Sequence, residues 1–133
     1  MGNMTTKRPR KTPKQILNWF EIPVLDIKRA VSFFNYVYGM KMELTELPEY
    51  ALAPFPDSTG VGGALVMGQG CVPSESGALL YLNATENMDI MLTRVKEAGG
   101  RVIMGKTEIA GDSGFFSLFV DTEGNRLALH SNQ

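Results

Sequence analysis

The hydrophobic pattern of this chain repeats. Trp19-Phe20-Glu21-Ile22-Pro23-Val24-Leu25 is a short apolar run ending at Asp26. After it, Ile27, Ala30, Val31, Phe34 and Tyr38 recur at helical spacing up to Gly39. Leu79-Leu80-Tyr81-Leu82-Asn83 is a second such run, followed by Met88, Met91, Leu92, Val95 and Ala98, then Gly99-Gly100. Each half predicts a strand, a polar N-cap, a helix of about three turns with one apolar face, and a glycine stop. Neither half buries its sheet face and helix face alone, so the two must pack together. A duplication of sheets also leaves a cleft, and clefts hold ligands.

The remaining residues fill in a βαβββ order, twice. Strands are predicted over Asn18–Leu25, Met40–Leu47, Tyr50–Phe55 and Gly62–Met67, with a helix over Ile27–Tyr38. Pro48 interrupts the second and third strands, and Pro56–Gly60 is a turn cluster. Gly68–Gly77 carries glycines, a proline and serines and reads as the linker between modules, which cover about 17–68 and 78–131. The second module predicts strands at Leu79–Asn83 and Arg101–Met104 around a helix at Met88–Ala98. A loop through Gly105–Gly114 then leads to a closing hairpin, Phe115–Val120 and Arg126–Ser131. Its turn, Asp121-Thr122-Glu123-Gly124-Asn125, has the glycine and asparagine that a tight reversal needs.

Composition narrows the function classes. At 133 residues with 44% apolar content the chain suits one α+β domain, expected over 17–133. No run is long enough to cross a membrane. The single cysteine, Cys71, forms no intrachain disulfide and fits a reducing, cytoplasmic setting. It reads as a loop thiol rather than a nucleophile, since the only histidine is about 60 positions away.

Charge is divided. Residues 1–15 hold five Lys and Arg and no acid, leaving eight Lys and Arg against 14 Asp and Glu in the remainder. That acidic body argues against nucleic acid as a partner, because it repels phosphate. The tail, with Pro9 and Pro13 and no periodicity, is expected to be disordered over residues 1–16. Its Met-Gly-Asn-Met-Thr-Thr start matches the loose myristoylation pattern, which is short and common. No membrane partner is expected.

Taken in order, these features resemble the vicinal oxygen chelate superfamily of glyoxalase I, bleomycin-resistance proteins and extradiol dioxygenases. The carriers are strand–Asp26–helix with Phe33-Phe34, the Gly39 stop, the second strand–helix to Gly99-Gly100, and the ending Phe-Val-Asp-Thr-Glu-Gly-Asn-Arg-Leu-Ala-Leu. The resemblance covers about 17–131 and is nearest to bacterial glyoxalase-related proteins. It implies two βαβββ modules whose sheets form a curled mixed sheet around a cavity. It also implies a homodimer, with or without exchanged modules. Phe33, Tyr36, Met40 and Met42, outside the helix stripes, are compatible with a buried interface.

The superfamily's enzymes hold a divalent metal with four side chains, and this chain departs at each position. The resemblance aligns Trp19 with the strand-one ligand, the acid-free run Gly62–Met67 with a carboxylate, Leu79 with a histidine, and Ala128 with a glutamate. With one histidine, a two-His site within one chain is impossible. No cofactor is therefore expected, a divalent metal being the alternative.

Strand alternation puts Trp19, Glu21 and Pro23 on one face, and Arg126, Ala128 and His130 on another. Glu21 and His130 are the candidate catalytic pair, a carboxylate holding an imidazole as a general base. The plainer reading leaves His130 solvated near the C-terminus and Glu21 on a surface-facing strand position. Trp19 and Tyr81 are candidates to stack on a flat ligand, or they fill the barrel; Arg126 is a candidate for a ligand anion, or it faces solvent. Two function classes remain. One is a protein that binds a small organic molecule without the usual metal, like the bleomycin-resistance branch. The other is a lyase or isomerase acting on a small carbonyl compound through Glu21 and His130, with or without a metal.

Overall fold

The computed structural model describes residues 15–56 and 59–133. The basic tail expected over 1–16 lies outside these residues except for its last two, and so does part of the Pro56–Gly60 turn. The first module is β1 (Trp19–Pro23), α1 (Ile27–Tyr38), β2 (Thr45–Leu47), β3 (Tyr50–Pro54) and β4 (Gly62–Gly68). The second is β5 (Tyr81–Asn83), α2 (Met88–Glu97), β6 (Arg101–Glu108), β7 (Phe115–Val120) and β8 (Arg126–Ser131). The βαβββ order thus appears twice.

Each module makes a four-stranded mixed sheet, ordered β1-β4-β3-β2 and β5-β8-β7-β6. In both, the first strand runs parallel to the last, and the others pair antiparallel. The α+β class and the modules are as the pattern predicts. Within one chain the two mixed sheets are separate and not closed on each other.

Local sequence explains the helices. Asp26 accepts from the Arg29 amide at 3.1 Å and starts α1; Gly39 ends it in the left-handed conformation at φ 64°. Asn87 caps α2 through the Asp89 and Ile90 amides, with Asp89 in the first turn and Arg94 and Lys96 in the last, each sign suiting the helix dipole. The Arg94 guanidinium pairs with Glu86 at 2.6 Å and donates to the Val37 carbonyl near the end of α1. A carbonyl left open by one helix is thereby satisfied from the other.

One core joins the modules. Ile22, Val24, Phe33, Phe34 and Val37 from the first pack with Met88, Met91, Val95, Phe119 and Leu129 from the second. Phe33 lies edge-on to Phe34 at 5.0 Å and reaches Phe119 of β7 at 6.2 Å. Phe33 and Met42 are therefore core residues rather than interface candidates, being 1% and 5% exposed. The reason is geometric. Helix α1 packs on its own sheet and also on α2, so it buries more than one stripe. Burying a phenylalanine this completely contributes on the order of 2–3 kcal/mol. Gly63 is needed for the same packing, because a Cβ there would overlap the Phe20 ring.

Two strands differ most in length from the pattern; β1 and β5 are shorter than predicted by three and two residues. β2 begins only at Thr45, because the Met42 amide is taken by the Asn35 side chain at 2.9 Å and Met42 turns into the core. β6 runs on to Glu108, through two register irregularities that carry it past Gly105.

Candidate functional site

The linker and the β7–β8 turn line a cavity with the end of β1. Asn125 is the junction. Its amide group donates to the Pro23 carbonyl at 2.7 Å and to the Asp121 carboxylate at 3.1 Å. Its side-chain oxygen accepts from the Ser74 amide at 3.2 Å. The Arg126 amide returns a bond to the Ser74 carbonyl at 3.2 Å. This ties the end of β1, the linker and the start of β8 around a cavity of about 270 Å³. Glu21 and Pro23 form one wall, Val72, Ser74 and Ser76 of the linker another, and Arg126 and Leu127 a third.

A buried carboxylate locks the same corner. Glu123 accepts from the amides of Leu25 at 2.9 Å and Asp26 at 2.8 Å, and meets the Arg29 guanidinium at 2.7 Å. Burial pushes its carboxyl up. The Arg29 guanidinium, the Asp26 and Leu25 amides and the Thr122 hydroxyl together outweigh burial, holding it below the ordinary glutamate value. Asp121 behaves oppositely: burial dominates and raises it, despite bonds from Asn125 and the Glu123 amide.

The candidate residues divide between the sheets. On the first, Trp19 and Glu21 share the face opposite the helix-packed residues, and the Trp19 indole N–H donates to Glu21 Oε2 at 3.3 Å. Trp19 is 49% exposed. On the second, Tyr81, Ala128, Leu118 and Met104 stand side by side across four strands. Tyr81 is 54% exposed with its ring 6.2 Å from that of Phe116, and Ala128 beside it is fully buried. His130 lies one step further along that face, level with Asn83 and Phe116.

Glu21 and Arg126 are brought to one cavity; Glu21 and His130 are not brought together. Within one chain no hydrogen bond or ion pair joins them. The His130 Nε2 sits 2.8 Å from the Ser113 carbonyl. A carbonyl only accepts, so Nε2 carries the hydrogen, and in the neutral ring Nδ1 keeps the free lone pair.

The positions that the resemblance aligns with the superfamily's metal ligands hold poor donors. An indole N–H has no lone pair to offer, Ala128 and Leu79 have no donor atom, and β4 contains no acid. Among the described residues no three His, Cys, Asp or Glu side chains converge. The residues present do not fit a divalent metal held in the superfamily's manner.

Sequence reasoning missed the linker wall and the side chains of Glu123 and Asn125. A reversal needs Gly124 and tolerates Asn125, but it has no need of a glutamate. That surplus carboxylate was the available signal.

Paired βαβββ modules, with aromatic residues on the sheet faces away from the helices, define a glyoxalase-type small-domain protein. The chain belongs to the Glyoxalase/Bleomycin resistance protein/Dioxygenase superfamily, whose sequence profile matches residues 16–129. Among solved structures it is similar to a glyoxalase I variant from Zea mays, with a TM-score of 0.66 and 21% identity. That match covers 86% of this chain but 45% of the maize chain, so this chain spans about half its length. A glyoxalase/bleomycin resistance protein/dioxygenase family enzyme from Burkholderia phytofirmans PsJN matches at TM-score 0.65 and 15% identity, over 87% of this chain and 98% of its own. A glyoxalase-related enzyme from Fulvimarina pelagi matches at 0.64 and 15%, over 89% and 88%. At these identities the likeness is one of fold. No curated protein matches the chain. Among the described residues no helix is long and apolar enough to cross a membrane.

Proposed function

We propose that this protein binds a small organic molecule on the sheet faces marked by Trp19 and Tyr81, without the superfamily's usual metal site. The observation that carries the reading is the half-exposed Trp19 indole, held by Glu21 at a position the resemblance aligns with a metal ligand. A flat ring with one polar edge fixed suits stacking on a flat ligand. Tyr81 beside the small Ala128 offers a second such surface. Because each face is open within one chain, the functional unit is a homodimer in which a second copy covers them. The lone cysteine supports a cytoplasmic setting.

A second reading rests on His130. Its tautomer, set by the Ser113 carbonyl, presents Nδ1 as a base. With Glu21 supplied from a second copy, the pair would serve a lyase or isomerase acting on a small carbonyl compound.

Trp19 is the chain's only tryptophan, so its emission reports one site. A panel of flat aromatic compounds should include members that quench it saturably, with weaker binding in Tyr81→Ala. If no compound quenches the emission or raises the melting temperature, the binding reading fails.

A further inference from the structure

Arg126 stands apart from the other described arginines. Arg29, Arg94 and Arg101 each pair with a carboxylate, at 2.7, 2.6 and 3.2 Å. Among the described residues Arg126 has no carboxylate within 4.0 Å; its Nη2 donates to the Gly77 carbonyl at 3.1 Å, and its buried Nε has no acceptor there. A guanidinium without a carboxylate partner is available, through its exposed Nη edge, to charge-assisted hydrogen bonds with a ligand carboxylate.

The opposite charge lines the same cavity. Glu21 has no cation within ion-pair distance among the described residues; its side chain's one hydrogen bond there is with the Trp19 indole. One carboxylate and one guanidinium therefore line a single cavity, unpaired with each other. The walls around them are apolar, from Ile22 and Val72 to Leu80 and Leu127, with the Ser74 and Ser76 hydroxyls at one side. A volume of about 270 Å³ has room for roughly nine water-sized groups.

We propose that the linker-walled cavity binds a small zwitterion with an apolar side chain, of the α-amino-acid type. Arg126 holds its carboxylate, Glu21 its ammonium group, and the apolar walls its side chain. This goes beyond the reading of the open sheet faces: it assigns a separate site, in the linker-walled cavity, and the chemical class of its ligand. Two fixed charges of opposite sign select for a ligand carrying both, because a ligand with one leaves the other desolvated and unmatched.

The test uses three probes of similar shape on the isotope-labelled full chain: L-leucine, 4-methylpentanoate and 3-methylbutylamine. Leucine should move the amide resonances of Ser74, Ser76 and Leu127 saturably. The carboxylate should bind several-fold more weakly, and the amine should produce no saturable shift. Arg126→Gln should weaken leucine about tenfold or more, the loss of one charge-assisted pair. Glu21→Gln should reduce leucine to the level of 4-methylpentanoate. Lys96→Ala, exposed on α2 away from the cavity, should leave leucine unchanged. No saturable shift with leucine or valine, or an equal response in Arg126→Gln, overturns the proposal. If leucine fails while flat compounds still quench Trp19, the cavity assignment falls and the binding reading stands.

Discussion

Arg29 and Glu123, 94 positions apart in the chain, meet at 2.7 Å and fasten the second module to the start of α1. The glutamate side chain is out of solvent, while the arginine is half exposed. The asymmetry decides what the pair is worth. The Leu25 and Asp26 amides depend on the glutamate as their acceptor, so the carboxylate matters more than the guanidinium.

Glu123→Ala should accordingly cost about 2–4 kcal/mol, since it strips acceptors from two backbone amides at once. Arg29→Ala should cost clearly less, because its own side is screened by water. Urea unfolding of the two variants checks the order; equal losses would mean that the amide bonds contribute little.

The same carboxylate sets part of the acid sensitivity. Its folded value lies below the ordinary one, so its stabilisation is present above the unfolded value, near 4.3, and is lost as pH falls through the folded value. Asp121 has the opposite sign: its folded value is raised, so its contribution is greatest below the unfolded value and is lost as pH rises through the folded one. Between about pH 5 and pH 3, Glu123→Gln should therefore lose less stability on acidification than the parent chain. Parallel curves of urea midpoint against pH would show that Glu123 is not the group responsible.

Assembly follows from the exposed row of Tyr81 and Met104 on the second sheet, and of Trp19, Leu47 and Tyr50 on the first. These residues should be covered by a second copy, giving a two-fold homodimer at tens of micromolar protein, where a standard-sized interface holds. Tyr81→Lys should shift the equilibrium toward monomer. Sedimentation of the parent chain as a monomer in that range would rule the assembly out.

Metal content separates the two functional readings. The purified protein is expected to carry no stoichiometric Zn, Ni, Mn or Fe, because the resemblance aligns Trp19 and Ala128 with ligand positions and neither offers a donor atom. Elemental analysis near one metal per chain, lost in Glu21→Ala or His130→Ala, would reverse this and favour the enzyme.

Much of the fold was legible one element at a time. Asp26, Gly39 and the apolar spacing of α1 gave its bounds correctly, because caps and periodicity act within a few residues. β2 and β6 were less legible. Whether Met42 joins a strand or the core depends on Asn35 and on packing from another element, and the length of β6 depends on what β7 offers alongside it. Among the candidate residues, alternation placed Trp19 with Glu21 on β1, and Ala128 with His130 on β8, as local geometry requires; that Tyr81 stands beside Ala128 came from strand pairing.

By itself the sequence determined the duplicated βαβββ order, the helix caps, the closing turn and the side of each strand that meets the core. These depend on short-range periodicity and backbone chemistry. Only the tertiary structure decided that the two sheets stay apart within one chain, that Phe33 joins the modules, and that Glu21 shares a cavity with Arg126 rather than meeting His130. Those outcomes come from packing two modules on one core and from side chains of Glu123 and Asn125 reaching across about a hundred residues. Such distances leave no periodic trace in a chain.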